Sequence, residues 1–139
     1  MHLGKRVKEV KELEQLQQLL LASIEDTHEL IHGIEELQLT RGCVEPWIVE
    51  ETEGFPYGRQ SVVKTEEVEC ILIYWKPRRF SPIHDHGASL GIVHVIDGYV
   101  TNEDFVLNED GTVKKTAIRT GTSGKTILSE TPNGKPLTL

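Results

Sequence analysis

The sequence predicts a mainly β fold, an antiparallel barrel or sandwich preceded by two α-helices. Apolar residues recur at three- and four-residue steps only in the first third of the chain. From about residue 57 onward, short runs of β-branched and apolar residues follow one another, separated by Gly, Pro, Asn and Asp. A chain of 139 residues can bury one core of its own. We therefore expect a single domain over residues 1–139, with a helical preface at about 6–42 and the β region at about 57–139.

The first helix is predicted at about residues 6–24, where apolar positions keep one helical face and Glu, Lys and Gln lie between them. A second helix is predicted to follow Asp26, because Glu29 three residues later matches a capping box. The turn chemistry of Arg41-Gly42 is predicted to end this helix. The apolar stripe of the first helix comprises Val7, Val10, Leu13, Leu16, Leu20 and Ile24, and that of the second comprises Leu30, Ile31, Ile34 and Leu37.

Seven strands are predicted in the β region, at residues 60–65, 68–75, 83–86, 90–96, 99–107, 112–119 and 125–129. Asp97-Gly98 suits a two-residue hairpin turn, and residues 108–111 suit a longer one. Short strands at this spacing favour an antiparallel sandwich or barrel over a parallel sheet.

Composition limits the classes of partner. The net charge of −7 argues against nucleic acid or an anionic membrane surface as the main partner, but it says nothing about a small substrate in a local basic pocket. With only two cysteines, a disulfide framework is not expected, and we predict a cytoplasmic protein with Cys70 as a core residue. The compact apolar run at residues 19–22 is too short for a signal sequence or a membrane span. The composition leaves open whether the protein forms a homo-oligomer.

The second predicted helix contains His28-Glu29-Leu30-Ile31-His32, which matches the H-E-x-x-H pattern of zinc metalloproteases. Two histidines one helical turn apart can bind zinc, and the glutamate can act as a general base. At 100° per residue, however, both histidines fall opposite the apolar stripe, so we predict that they face solvent. A zinc peptidase is therefore a remote alternative.

A second histidine pair lies in the segment Ser81-Pro82-Ile83-His84-Asp85-His86-Gly87. On a β-strand, residues two apart point to the same face, so His84 and His86 are candidate ligands of one metal ion. His94 lies at an odd offset from Gly91 and is predicted on the opposite strand face, exposed.

These motifs resemble the cupin superfamily, and within it the cysteine dioxygenases, especially their shorter bacterial forms. Four segments agree in order: Tyr57-Gly58-Arg59; Ile73-Tyr74-Trp75 with Pro77; Ser81 to Gly87; and Ser89-Leu90-Gly91 leading to Asp97-Gly98. The resemblance covers most of the chain, from the helices to about Gly111. It implies a cupin β-barrel behind the helical preface.

The resemblance also implies a function and a set of site residues. His84 and His86 would bind Fe(II), Arg59 would hold the substrate carboxylate, and Tyr57 would line the same pocket. The substrates would be L-cysteine and O2, and the product cysteine sulfinate. Another small thiol acid, 3-mercaptopropionate, is the alternative substrate, although relatives that act on it often have glutamine at the place of Arg59. Gly91 replaces the cysteine that crosslinks to a tyrosine in mammalian-type enzymes, so that crosslink cannot form.

The sequence departs from the family pattern near its C-terminus. The family's iron has a third histidine ligand on a late strand, but this sequence has no histidine after His94. The C-terminal tyrosine and closing strands of the family also have no counterpart, and no catalytic residue is assigned. We therefore expect a barrel incomplete at its C-terminus. Three explanations stay open: a truncated or frameshifted member, a site completed by a neighbouring subunit, or a degenerate cupin without catalysis.

Overall fold

The computed structural model describes residues 10–84, 91–129 and 137–138. The chain divides into two compact units, Met1–Arg79 and Phe80–Leu139. In these described ranges, the first contains three α-helices, a 3₁₀ turn and a β-hairpin, and the second contains five strands. Among the described residues, no helix is both long and apolar enough to cross a bilayer. The single-domain organisation of the whole chain stays a prediction.

Two helices open the described part of the first unit, as the apolar spacing predicts. The first, α1, spans Lys11–Ala22, and the second, α2, spans Thr27–Glu36. The two helices approach closely at Gly33, where an added Cβ would lie 2.7 Å from side-chain atoms of Leu19. Their buried residues are those of the predicted stripes, Leu13, Leu16 and Leu20 on α1 and Leu30 and Ile34 on α2.

The start of α2 follows the prediction, but its end does not. The Asp26 side chain accepts a hydrogen bond from the Glu29 amide at 3.1 Å and so caps the helix. The helix ends at Glu36, and Gln38 takes a positive φ of 51°. The predicted end at Arg41-Gly42 is wrong, because Arg41 instead begins a short third helix. This helix, α3, spans Arg41–Val44 and continues into a 3₁₀ turn at Glu45–Trp47.

A β-hairpin follows the helices in the first unit. Strand β1 spans Gly58–Lys64, and β2 spans Glu69–Tyr74, in antiparallel register. Thr65 organises the turn: its amide donates to the carbonyl of Val68 at 2.8 Å, and its hydroxyl accepts from the amides of Glu67 and Val68. All four strand ends lie within two residues of their predicted positions.

The second unit contains β3 (Gly91–His94), β4 (Tyr99–Leu107), β5 (Val113–Thr122), β6 (Thr126–Ser129) and β7 (Leu137–Thr138). Strands β5, β4 and β7 form one sheet in that order, and β3 pairs with β6 in another. All these pairs are antiparallel. Val95, Phe105 and Ile127 supply buried apolar side chains. In the described residues the strands therefore form open sheets, and none of them closes into a barrel.

The two predicted hairpin turns have different outcomes. Residues 108–111 do connect β4 to β5, and the Asn108 amide donates to the carbonyl of Thr112 at 2.8 Å. The Asp97-Gly98 prediction is wrong, because β3 pairs with β6 rather than with β4. Gly98 still takes a positive φ of 88°, but its amide donates to the Ser123 hydroxyl at 3.0 Å in the loop before β6. The structure thus confirms a β-rich antiparallel fold with N-terminal helices.

Candidate functional site

Tyr57 and Arg59 lie at the beginning of β1, on either side of Gly58. The backbone at Gly58 approaches the preceding loop so closely that an added Cβ would lie 1.6 Å from the carbonyl oxygen of Val49. Real Cβ atoms do not tolerate such a contact, so only glycine fits unless the loop moves. This close approach fixes where the strand begins, and with it the origins of both candidate side chains.

Three aromatic rings lie near the beginning of β1, those of Phe55, Tyr57 and Trp75, and we call them the aromatic cluster. The Tyr57 ring lies 5.6 Å from that of Phe55 and 4.5 Å from that of Trp75, between ring centroids, with interplanar angles of 37° and 59°. These separations are typical of attractive aromatic pairs. Phe55 nevertheless keeps 42% of its surface exposed. The cluster is therefore a surface of the first unit and not part of its buried core.

The Arg59 guanidinium lies over this cluster. Its Cζ is 4.5 Å from the centroid of the Phe55 ring, within the range of a cation–π contact. The backbone is held independently, because the Arg59 amide donates to the Thr52 hydroxyl at 2.9 Å. In the part of the chain that the structure describes, no carboxylate forms an ion pair with Arg59. Its in-plane N–H donors are therefore not engaged by an acidic side chain of these residues.

One nearby carboxylate in the sequence has a different partner. Glu51 lies immediately before Thr52, and Lys76 Nζ is 2.7 Å from its Oε1. The hydrogen bond and then the charge of Lys76 hold the pKa of Glu51 below its ordinary value. Glu51 thus stays ionised and paired with Lys76.

His84 lies in the second unit, exposed and in an isolated β-bridge. Its Nδ1 is 2.8 Å from the carbonyl oxygen of Pro82. Since a carbonyl can only accept, the proton of a neutral imidazole is on Nδ1 and the lone pair is on Nε2. Metal-binding histidines almost always donate their second ring N–H in this way. The contact of His84 Nδ1 with a backbone carbonyl is thus one that metal-binding histidines commonly make, whereas His86 lies outside the described residues.

His94 differs from its prediction. It is half-buried rather than exposed, and its Nδ1 lies 2.9 Å from the Thr126 hydroxyl, directly across the β3–β6 pair. Pairing with β6, which the sequence pattern did not predict, accounts for this burial. Within residues 10–84, 91–129 and 137–138, no three His, Cys, Asp or Glu side chains are grouped so that they could hold a metal ion.

The H-E-x-x-H motif lies on the solvent-facing side of α2, as predicted. His28, Glu29 and His32 are all exposed. His32 Nε2 is 3.0 Å from Glu36 Oε1, an ordinary contact between residues four apart on a helix. The motif therefore lies on an open helix surface and not in a cleft.

Both cysteines are free thiols. Cys70 lies on β2, where burial raises its pKa from 9.0 to about 11. A thiol with this pKa stays protonated near neutral pH and is a poor nucleophile. The prediction that Cys70 is a core residue is not met in full, because Cys70 has intermediate exposure and is not one of the buried core residues.

The structure brings Tyr57 and Arg59 together in the first unit and places His84 in the second. Sequence reasoning missed Phe55, whose contact with Arg59 depends on a loop conformation rather than on a motif. The exposed aromatic residue four positions before an arginine is the one signal that could have found it. No protein-family model matches the chain.

Proposed function

We propose that the chain is a thiol dioxygenase of the cysteine dioxygenase type, with a cupin fold, acting in the cytoplasm on L-cysteine and O2. The observation that carries the proposal is the His84 imidazole. It lies in the segment Pro82-Ile83-His84-Asp85-His86-Gly87, and its Nδ1 is 2.8 Å from the Pro82 carbonyl oxygen. That contact orients the ring, and Nε2 would be the atom that binds the metal.

His84 and His86 would hold Fe(II) as neutral imidazoles, which add no charge to the metal site. Fe(II) bound there would supply the chemistry with O2 that no side chain provides. The chain's own contribution at this point is the ring orientation of His84. Neutral ligands also favour the binding of an anionic thiolate substrate.

Arg59 would hold the carboxylate of the substrate. A guanidinium presents paired N–H donors in one plane and can bind both oxygens of a carboxylate. Its half-buried position beside the aromatic cluster strengthens that interaction relative to bulk water. Tyr57 would line the same pocket, since it packs between Phe55 and Trp75.

The proposed reaction is balanced without an external reductant. One thiol and one O2 give one sulfinate anion and one proton, so sulfur is oxidised while O2 is reduced, and both oxygen atoms end on sulfur. The proton is the one that the substrate thiol loses to solvent on binding.

The test is oxygen consumption by the full chain loaded anaerobically with Fe(II). We expect uptake on adding L-cysteine, slower uptake with 3-mercaptopropionate, and loss of both iron and uptake in His84→Ala/His86→Ala. The matched control is His28→Ala/His32→Ala, which should keep its iron because those histidines lie on the exposed face of α2.

Two results would change the proposal. Iron and cysteine bound without oxygen uptake would indicate a non-catalytic cupin. Metal lost from the His28/His32 variant, but kept in the His84/His86 variant, would instead favour the zinc-peptidase alternative.

A further inference from the structure

Phe55 lies in a loop that presents its ring to Arg59. The preceding residue, Gly54, takes a positive φ of 86°, a conformation that glycine adopts without strain. The ring that follows is 42% exposed, so the core does not explain its position. Its described contacts are with Tyr57 and with the guanidinium of Arg59. The loop therefore places an aromatic face where an arginine side chain would otherwise be free to move.

The guanidinium carbon of Arg59 lies 4.5 Å from the centroid of the Phe55 ring, and no acidic side chain of the described residues pairs with this guanidinium. The N–H donors of arginine lie in the plane of that group and point outward from its edge. The cation–π contact with Phe55 thus restricts the rotamers of the long Arg59 side chain without using any of its hydrogen-bond donors. A carboxylate can then bind the edge at a lower cost in side-chain entropy.

The Phe55 ring also has an aromatic neighbour, Tyr57. Tyr57 contacts Phe55 on one side and Trp75 on the other, and Trp75 directly follows β2. The contacts therefore run from the end of β2 through Tyr57 and Phe55 to the guanidinium. This series of rings connects the orientation of Arg59 to the β1–β2 hairpin.

From these contacts we infer that Phe55 is a positioning residue for carboxylate recognition, acting through Arg59. The inference rests on the proposed function, because it assigns Phe55 to the substrate-binding step of that reaction. Phe55 selects for thiols that carry a carboxylate and does not contribute to the binding of thiols that lack one.

The experiment measures the Kd of L-cysteine by calorimetry on the anaerobic, Fe(II)-loaded full chain. We expect Phe55→Leu to weaken binding about two- to fivefold, the effect of losing an exposed cation–π contact. Arg59→Gln should weaken it at least about tenfold, since a charged hydrogen-bonding partner is lost. Phe55→Tyr keeps the ring and should bind as the wild type does. In the Arg59→Gln background, Phe55→Leu should have no further effect.

Two controls separate positioning from general damage. Cysteamine has the thiol and amine of cysteine but no carboxylate, so Phe55→Leu should leave its Kd unchanged. Tyr99→Leu removes another exposed aromatic ring, 78% exposed, and should leave the Kd of cysteine unchanged. Equal weakening of cysteine and cysteamine binding, or an additive effect of the two substitutions, would overturn the role of Phe55.

The result also distinguishes this inference from the proposed function. Wild-type oxygen uptake with unaltered cysteine binding in Phe55→Leu would overturn the inference alone. The expected double-mutant pattern without any oxygen uptake would overturn the dioxygenase proposal and leave the binding role in place. Absence of cysteine binding by the wild type would overturn both.

Discussion

At Arg59 a permanent cation lies half-buried, with its guanidinium carbon 4.5 Å from the centroid of the Phe55 ring. Arginine stays protonated at any pH at which proteins fold, so it cannot escape partial burial by losing its charge. In the described residues no acidic side chain pairs with it. Such an arginine is well suited to bind an anion from solution, which is the role proposed for it.

Cys70 gives a residue-scale prediction about pH. Its pKa is about 11 in the folded protein and 9.0 ordinarily, so the unfolded chain loses this proton first as pH rises. Stability contributed by the buried thiol is therefore present below pH 9 and is lost between pH 9 and 11. We expect the free energy of unfolding in urea to fall by about 2 kcal/mol over this interval.

The comparison with Cys70→Val isolates this contribution from other groups that titrate at alkaline pH. The valine variant should lose less stability between pH 9 and 11 than the wild type. Parallel pH profiles for the two proteins would show that the Cys70 thiol does not have the raised pKa.

At the scale of elements, the contact between Gly58 and Val49 determines where β1 begins. We expect Gly58→Ala to lower the free energy of unfolding by about 3 kcal/mol, because its Cβ would lie 1.6 Å from a backbone oxygen. Urea denaturation measures this loss. Gly42→Ala is the matched control, since its Cβ would come no closer than 3.7 Å to Thr40 Oγ1. Equal stability of the two variants would contradict the role given to Gly58.

Turns and helix caps could be predicted from the sequence where they depend on residues that are close together in the chain. The Asp26 cap and the turn at residues 108–111 depend on hydrogen bonds between neighbours in the chain, and both were predicted. The Asp97-Gly98 hairpin failed because β3 pairs with β6, more than thirty residues later at His94 and Thr126. A dipeptide can favour a turn, but it carries no information about a distant partner strand.

At the scale of the whole molecule, the candidate residues come from both units. Tyr57 and Arg59 belong to the first, and His84 belongs to the second. Each of them can be named from a short motif in the sequence, and its role stays a prediction. The contact of Phe55 with Arg59 could not be predicted from the sequence. It depends on the loop at Gly54, and on the Tyr57 and Trp75 rings beside the ends of β1 and β2. A motif indicates which residues could react or bind, whereas contacts such as that of Phe55 with Arg59 depend on the folded loop.

The most direct test of the account is the origin of the oxygen atoms in the product. Fe(II)-loaded protein and L-cysteine should be incubated under oxygen-18 gas in ordinary water, and the product analysed by mass spectrometry. The account predicts cysteine sulfinate in which both sulfur-bound oxygens carry the label. Only one labelled oxygen, unlabelled sulfinate, or cystine as the sole product would contradict it.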